Sequence, residues 1–471
     1  MKKVITFLIS AIILLSLFSV SVSAETVAEN GNAVWTVEGD TLTVSGTGIT
    51  NNELPSGAAW RNKITKIVVE EGITEIGKYA FRDCKKVTSI ELPDSVSVIG
   101  ESAFAFCESL TDIEIPESVT VIPFQGFYGC KSLLNIELPS KTTAIEAAAF
   151  QNCASLKNMA IPSSVKKMGY GVFDGCVSLE SVNIPDGVNN LGYSLFRNCK
   201  ALTEIKVPES VKNIEYGVFY GCENLVSVNI PSSIEKLNIH TFYGCKSLEK
   251  LELPEGLKTI SMQVFENCES LKEIKLPSGL KNLLYGAFIN CYGLEEIEIP
   301  AGVRVIEERV FAGCEALKKV TLNEGLTKID EDAFAGCFSL RSVYIPNSVK
   351  EIGIGIFKNC ESLKQVYFGT DLVSLEKDVF DGTAVKDVYY AKSEDDWKKI
   401  KLGDKTDYDE ITVHYEATEL PEIEEEEETV TEEKEINFLP FIIGGVAGIL
   451  VIAVATVLIV VISHKKNKKE S

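Results

Sequence analysis

The sequence predicts an α/β, strand-rich solenoid of repeated coils with a parallel sheet, followed by a single C-terminal transmembrane helix. Three observations predict this fold class: neighbouring cysteines are always 23 residues apart, phenylalanine recurs with the same period, and a long uncharged segment lies near the C-terminus. Self-similarity at a fixed period of this kind is the signature of a solenoid. The 471 residues carry a formal net charge of −22, which argues against nucleic acid as a partner because phosphate binding needs a basic face.

Residues 1–24 are predicted to be a secretory signal peptide. Two lysines precede an apolar run that extends to Val20, and the segment ends at Ala24 after small residues. A basic start, an apolar stretch and a small-residue cleavage site direct export. We therefore expect the rest of the chain to leave the cytoplasm.

One pattern recurs in every repeat, with positions counted from the cysteine at position 0. Position 3 is leucine in all but one of the 13 cysteine-containing repeats, position 9 is proline in 11 of them, and position 20 is phenylalanine. Positions 6, 8, 12 and 15 are nearly always aliphatic, and position 22 is usually Gly or Asn. One coil cannot bury these apolar residues alone, so we expect stacked coils to share a core.

The same pattern predicts the structure of a coil. Alternation at positions 6 and 8 favours a short strand, and the proline at position 9 ends it because proline cannot donate to a ladder. The spacing of positions 12, 15, 19 and 20 favours a helical or 3₁₀ return, and Gly or Asn at position 22 allows a positive φ. Fourteen coils over residues 61–382, the first beginning at Arg61 in place of cysteine, should form a sheet about 60–70 Å long.

The repeat C-x-x-L-x-x-I-x-I-P, with phenylalanine at position 20, resembles the BspA-like leucine-rich repeat, a 23-residue bacterial class. The resemblance spans residues 25–415 and implies a curved leucine-rich-repeat array. It also implies a β-rich N-terminal cap over residues 25–60, around Trp35, and a C-terminal cap over residues 383–415, which contain Ser393–Trp397. The roles that the resemblance implies are those of an adhesin, which attaches to host matrix proteins, host cells or other microbes.

The C-terminal end is predicted to anchor the chain in the cell membrane. Residues 416–435 contain 11 glutamates and form an acidic linker, and residues 436–463 carry no charge and are long enough to cross a bilayer. Residues 464–471 contain four lysines and should stay cytoplasmic, which leaves the N-terminal domain extracellular. Gly444 and Gly448 make one G-x-x-x-G, a weak signal for a homodimer.

The cysteines allow three interpretations. Equivalent positions of stacked coils are close enough for disulfides, but 13 is odd and each cysteine has two equivalent neighbours. A metal ladder needs histidines or a second cysteine in each repeat, and the chain has three histidines. We favour a structural ladder of free thiols that pack as small apolar groups. Its members are Cys84, Cys107, Cys130, Cys153, Cys176, Cys199, Cys222, Cys245, Cys268, Cys291, Cys314, Cys337 and Cys360.

The sequence contains no recognisable catalytic or cofactor-binding constellation. His240, His414 and His464 are isolated, and the common motifs for hydrolases, zinc proteases, nucleotides and dinucleotides do not occur. We therefore predict a protein that is not an enzyme and carries neither metal nor cofactor.

Position 7 points away from the core and supplies the first candidate binding surface. The early coils carry glutamate there, as Glu91, Glu114 and Glu137, and the last coils carry tyrosine, as Tyr344 and Tyr367. After Gly382 the repeat shortens by one residue, and Tyr389 takes the equivalent place. Tyrosine is enriched at the centre of binding surfaces. Cross-strand packing that supports the C-terminal cap is the alternative.

Position 17 supplies the second candidate surface. Eight successive repeats carry an apolar or aromatic residue there, namely Phe124, Ala147, Tyr170, Tyr193, Tyr216, Ile239, Met262 and Tyr285. Other repeats carry charge at this position, so we expect partial exposure, and an exposed apolar stripe marks an interaction site. Packing along the flank of the solenoid is the alternative. The aromatic members and the three tyrosines of position 7 are the candidate ligand-binding residues.

These features together predict a membrane-anchored cell-surface protein that binds protein or glycan on host or microbial surfaces. The alternative is a structural component of the cell envelope with no external ligand. Such a component should tolerate the loss of both aromatic surfaces, whereas an adhesin should not.

Thiol titration of the unfolded, unreduced chain should detect close to all 13 cysteines. A ladder of free thiols leaves no cysteine oxidised, so prior reduction should not change the count. A chromogenic thiol reagent in denaturant, used with and without reduction, measures this. Detection of one or two thiols before reduction would instead show a disulfide ladder.

Overall fold

Each repeat forms one coil of a parallel β-solenoid in the computed structural model, which describes residues 24–30, 32–50, 59–403, 408 and 410–421. The coils contribute strands to two columns, one built from positions 5–8 and the other from positions 12–15. Strands in successive coils pair in parallel one repeat apart, as Ile329 does with Ile352. The predicted parallel-sheet solenoid is confirmed.

The first column, which we call the strand face, starts with an antiparallel meander of three strands and continues with parallel pairs. Its strands are β1 (Glu25–Asn30), β2 (Ala33–Glu38), β3 (Thr41–Gly46), β5 (Lys66–Val69), β7 (Ser89–Glu91), β11 (Asn158–Met159), β13 (Ser181–Val182), β15 (Glu204–Ile205), β17 (Ser227–Val228), β21 (Glu296–Ile299), β23 (Lys319–Leu322), β25 (Ser342–Ile345), β27 (Gln365–Phe368), β29 (Asp387–Tyr390) and β31 (Thr412–His414).

The strand face is divided into shorter sheets, so the expected single sheet of about 60–70 Å is wrong. Within the described residues 92–157 and 229–295, positions 5–8 form no strand apart from a bridge between Glu273 and Glu296. The coils remain stacked there because side chains and turns connect them.

The second column consists of shorter strands, most of them two residues long. They are β4 (Gly48–Ile49), β6 (Ile73–Ile76), β8 (Val98–Ile99), β9 (Val121–Ile122), β10 (Ala144–Ile145), β12 (Lys167–Met168), β14 (Asn190–Leu191), β16 (Asn213–Ile214), β18 (Lys236–Leu237), β19 (Thr259–Ile260), β20 (Asn282–Leu283), β22 (Val305–Ile306), β24 (Lys328–Ile329), β26 (Glu351–Ile352), β28 (Ser374–Leu375) and β30 (Lys401–Leu402).

The return of each coil is not helical, which corrects the prediction of an α/β fold. It consists of the second column of strands followed by turns, and helices in the described residues are limited to a 3₁₀ helix (Ala59–Asn62) and a four-residue α1 (Glu394–Trp397). Positions 18 and 22 both have φ between +52° and +76° in all 14 coils. Two left-handed residues so close together exclude a right-handed helix.

The turns at positions 17–22 form a surface that we call the turn face. Backbone N–H groups at positions 18, 20 and 22 donate to carbonyls of the next coil, as Phe196 does to Val218 at 2.9 Å. The predicted positive φ at position 22 is confirmed. The positive φ at position 18 was not predicted, because glycine occupies four of the 14 places and the others carry side chains as large as Tyr79 and Arg309.

A stack of 14 phenylalanines at position 20 runs through the core. From Phe81 to Phe380 the rings of neighbouring coils lie 5.0–6.5 Å apart between centroids and are nearly parallel. All 14 are buried. Each stacked pair adds about 0.5–1.5 kcal/mol to the stabilisation from burial.

The cysteines form a second buried column beside the phenylalanines, and all 13 are free thiols. Twelve of the thiols, from Cys107 to Cys360, donate to the carbonyl of the phenylalanine 26 residues earlier, at 3.1–3.3 Å. Since each cysteine lies three residues after the phenylalanine of one turn, each such bond joins that turn to the equivalent turn one repeat earlier. The thiol is therefore a small apolar group and a hydrogen-bond donor at once.

Both ends of the stack are covered. The Trp35 ring lies 5.2 Å from that of Phe81, and the guanidinium of Arg61, in the cysteine position of the first coil, donates to Cys84 Sγ at 3.9 Å. At the other end Tyr408 packs edge-on against Phe380 at 6.1 Å. Aromatic residues thus take the place of a further coil at each end.

In the part of the chain that the structure describes, no helix is long and apolar enough to cross a membrane. The predicted transmembrane helix at residues 436–463, with Gly444 and Gly448, lies outside the described residues. The same holds for residues 1–23, residues 464–471 and the acidic linker after Pro421.

The free energy of unfolding should fall steeply above about pH 9. Burial raises the pKa of twelve of the thiols above the ordinary 9.0, to about 11 for Cys84 and about 12 for Cys130. Because the folded pKa is the raised one, the stabilisation is complete below the unfolded pKa and is lost as the pH rises towards the folded pKa. Each thiol contributes a slope of up to about 1.4 kcal/mol per pH unit.

Melting temperatures between about pH 8 and pH 10, measured under reductant, test this linkage. A variant with Cys199→Ala, Cys222→Ala and Cys245→Ala should be less stable at pH 8 but should lose stability less steeply with pH. Parallel pH profiles for the two proteins would contradict the assigned role of the thiols.

Candidate functional site

The turn face presents a strip of exposed tyrosines at position 17. Tyr170, Tyr193 and Tyr216 expose 55%, 57% and 41% of their surface. Because neighbouring coils are about 4.8 Å apart, the strip is about 10 Å long. Phe124 and Tyr285, the other aromatic candidates at this position, are half-buried. The candidate surface is therefore concentrated in three adjacent coils.

His240 connects this strip to a neighbouring row of side chains. Its Nδ1 lies 3.0 Å from Tyr216 Oη, its Nε2 lies 3.0 Å from Gln263 Oε1, and its ring packs edge-on against Tyr220 and Tyr243. The amide oxygen can only accept, so Nε2 donates to it, and in the neutral imidazole Nδ1 accepts from the tyrosine hydroxyl. The description of His240 as isolated is wrong, because stacking brings together residues that are about one repeat apart in sequence.

Position 21 supplies that neighbouring row. Gln151 Nε2 donates to Asp174 Oδ2 at 2.9 Å, the Arg197 guanidinium lies 5.4 Å from the centre of the Tyr220 ring, and Tyr220 stacks on Tyr243 at 4.6 Å. Partial burial raises the pKa of Asp174, and the positive charge of Arg197 opposes the rise. We use the name turn-face patch for Tyr170, Tyr193, Tyr216 and His240 with this row of Gln151, Asp174, Arg197, Tyr220 and Tyr243.

The tyrosines of position 7 pack mainly against one another and the C-terminal segment. Tyr344 and Tyr367 stack at 4.3 Å, and Tyr389 stacks on His414 at 4.7 Å. The Tyr367 hydroxyl donates to the carbonyl of Ala417 at 3.4 Å, and burial raises its pKa to about 12. Tyr344 is 40% exposed, whereas Tyr367 is buried and Tyr389 half-buried. This geometry favours the alternative of cap packing for the last two.

His414 and Glu91 also have identifiable partners. His414 Nε2 lies 2.8 Å from Asp387 Oδ1, so His414 is not isolated either. Glu91 pairs with Lys66 at 2.6 Å on the strand face, and both side chains are exposed. Exposed pairs of this kind contribute little to stability. His464 lies outside the described residues.

A hollow of about 790 Å³ opens on the strand face where its strands are interrupted. Basic and acidic residues alternate along its walls, among them Lys250, Glu252, Glu273, Lys275, Glu296 and Lys319. Because opposite charges are neighbours there, the hollow presents no concentrated charge to a ligand.

Among the residues that the structure describes, the geometry offers no support for metal or nucleophilic chemistry. In the described residues no cluster of His, Cys, Asp and Glu could hold a metal ion. Twelve of the thiols have a raised pKa and twelve donate to carbonyls, whereas a metal ligand or nucleophile must be the thiolate.

The sequence analysis selected position 17 as a candidate surface but did not select position 21 or anticipate the contacts of His240. The sequence does contain a pattern at position 21, because polar and aromatic residues occupy this position in four successive repeats, as Asp174, Arg197, Tyr220 and Tyr243. Each of these residue types is ordinary on a surface, so the column becomes informative only when the coils are stacked.

Comparison with known proteins agrees with the repeat structure. The profile of the BspA type leucine rich repeat region matches residues 53–180, 167–295 and 285–399. A leucine-rich repeat protein from Bacteroides ovatus has a similar structure, with 28% identity and a TM-score of 0.66 over 84% of this chain and 98% of that protein. A leucine rich cell surface protein from Faecalibacterium prausnitzii is 24% identical, with a TM-score of 0.36 over 64% and 95% of the two chains.

The pneumococcal vaccine antigen PcpA is 18% identical, with a TM-score of 0.43 over 84% of this chain and 99% of that one. Among curated proteins no match is found. Solenoids of the matched repeat type are typically protein-interaction scaffolds, and proteins that carry them are typically exposed on the bacterial surface. With its repeat profile matched over most of its length, the chain belongs to the BspA-type leucine-rich-repeat family.

Proposed function

We propose that this chain is a membrane-anchored adhesin, which holds its solenoid outside the cell and attaches it to a macromolecule of a host or of another microbe. The turn-face patch carries the proposal. Tyr170 and Tyr193 each expose more than half of their surface on a scaffold whose core does not need them. Large, rigid aromatic side chains of this kind supply contact area at low entropic cost.

The anchoring part of the proposal rests on the sequence. The uncharged residues 436–463 followed by lysines are typical of a single-pass anchor, and the acidic residues 416–435 are typical of an extended spacer. The surface exposure that is typical of the family is consistent with this topology.

A binding screen of the full-length chain, purified in mild detergent, tests the proposal. Immobilised chain is presented with a mixed basement-membrane protein matrix, epithelial cells, neighbouring bacteria and bacterial polysaccharides. An adhesin should retain at least one of these above a matched blank surface. Retention of none would favour the alternative, a structural component of the cell envelope.

The double variant Tyr193→Ala plus Tyr216→Ala should weaken capture and leave the melting temperature nearly unchanged. Exposed side chains contribute little to folding, and substitutions there usually stay within about 0.5 kcal/mol. Parallel capture assays and thermal melts of the full-length chain measure the two effects.

Phe196→Ala, in the same coil as Tyr193, is the matched core control. Removal of this fully buried ring should cost about 3–5 kcal/mol and lower the melting temperature clearly. A similar loss of stability in the tyrosine double variant would assign the strip to the core and remove the basis for the proposal.

A further inference from the structure

Opposite charges line the hollow of the strand face without pairing with one another. Position 5 of four successive coils and position 7 of the first three are charged, as Lys250, Glu273, Glu296 and Lys319, and as Glu252, Lys275 and Glu298. In the part of the chain that the structure describes, none of these side chains forms an ion pair. At the same two positions nearer the N-terminus, where the strands pair, Lys66 and Glu91 lie 2.6 Å apart. The charges of the hollow therefore remain available to a ligand.

The backbone of the hollow is also incompletely bonded. Leu251, Glu252 and Leu253 line it, and their N–H groups donate to no acceptor among the described residues. Leu251 is only 6% exposed, and buried N–H groups in proteins are nearly always paired. Beside the hollow, by contrast, β21 and β23 pair in register, as Ile297 does with Val320. A ligand in the hollow that carries hydrogen-bond acceptors can bond to these N–H groups.

The charges of the hollow select the class of ligand. Its walls contain three lysines and five glutamates, so a complementary ligand carries both signs with positive charge in excess. A neutral polysaccharide supplies neither sign. An anionic polysaccharide or a nucleic acid meets the excess of glutamate, and the net charge of −22 on the chain repels it. A peptide carries both signs on one polymer and is the class that fits.

The unpaired N–H groups favour an extended peptide. Most carbonyls of a helix accept within the helix, whereas those of an extended segment remain free to accept from a partner. The hollow of about 790 Å³ lies within the range of about 300–1,000 Å³ that is usual for ligand sites. Its four coils cover about 14 Å along the solenoid, which is the length of about four extended residues.

We propose that the hollow on the strand face binds an extended segment of a partner protein, a segment of mixed charge in which basic residues are in excess. Basic side chains of the segment pair with Glu252, Glu273 and Glu296, and an acidic side chain pairs with Lys275. Backbone carbonyls of the segment accept from the N–H groups of the coil at Leu251. This assignment goes beyond the proposed function, because it concerns the strand face and does not depend on the turn-face patch.

Selection from a peptide library by the immobilised full-length chain, in mild detergent, tests the assignment. The library contains short peptides built from lysine, glutamate, serine and leucine, and mass spectrometry identifies those that are retained. Peptides with both lysine and glutamate, and with lysine in excess, should be enriched over lysine-only and uncharged peptides. Equal enrichment of lysine-only peptides would show a general attraction to an acidic protein and would overturn the assignment. Retention of no mixed-charge peptide would do the same.

Glu273→Gln plus Lys275→Gln should lower the enrichment of mixed-charge peptides about fivefold, because one contact of each sign is lost. Glu295→Gln plus Lys318→Gln is the matched control. It also removes one charge of each sign, but from an ion pair of 2.9 Å outside the hollow, so the enrichment should persist. All four side chains are exposed, and the melting temperature should stay unchanged in both variants. Equal losses of enrichment in the two variants would contradict the assignment.

The same two variants, presented with starch and with heparin, decide between a peptide and a polysaccharide. Retention of either polysaccharide that falls in the hollow variant but persists in the control would assign the hollow to a polysaccharide and overturn the peptide assignment.

The tyrosine double variant separates this assignment from the proposed function. Tyr193→Ala plus Tyr216→Ala lies on the turn face and should leave the enrichment of mixed-charge peptides unchanged. If the chain retains such peptides but captures no host or microbial surface, the adhesin proposal falls and the peptide assignment stands. The reverse result removes the peptide assignment alone.

Discussion

The stacking of equivalent positions, one coil upon the next, is the constraint on which the rest of this structure depends. A single 23-residue coil is too small to bury its own phenylalanine, so the ring at position 20 is buried by the rings before and after it. The thiol at position 0 adds a directional bond, because it donates to a phenylalanine carbonyl of a neighbouring turn. An insertion in one coil would disturb both columns at once, which explains why the period holds without a break.

This constraint also divides the surface into independent columns. A side chain at position 17 or 21 meets chiefly other turn-face residues of adjacent coils, so its identity can change without cost to the core. Position 21 illustrates this freedom, because it carries alanine at Ala312, carboxylate at Asp174 and aromatic rings at Tyr220 and Tyr243. Candidate binding surfaces of a solenoid can therefore be found by comparing one repeat position across all coils and looking for residues that the stacking of coils does not require.

The sequence predicts those features that repeat in residue type. The burial of Phe196, the strand before Pro208 and the positive φ at Gly221 all follow from the consensus. The positive φ at Ser194 does not, because nothing in its side chain marks a left-handed backbone, and for that reason a helical return was expected. The contacts of His240 cannot be predicted from the consensus for a different reason. They are made between repeats, and a consensus describes one repeat at a time.

The turn face suits ligand binding because hydrogen bonds between coils fix its backbone, while Tyr170 and Tyr193 expose more than half of their surface. Alternate N–H groups at positions 18, 20 and 22 donate to the next coil, which fixes the backbone that carries Tyr193 and Tyr216. At the C-terminal end of the strand face, by contrast, the aromatic side chain is covered, because the segment at Ala417 packs over Tyr367. An aromatic residue on a fixed backbone loses little entropy when a ligand covers it. Rigidity and exposure therefore coincide on the turn face at Tyr170 and Tyr193.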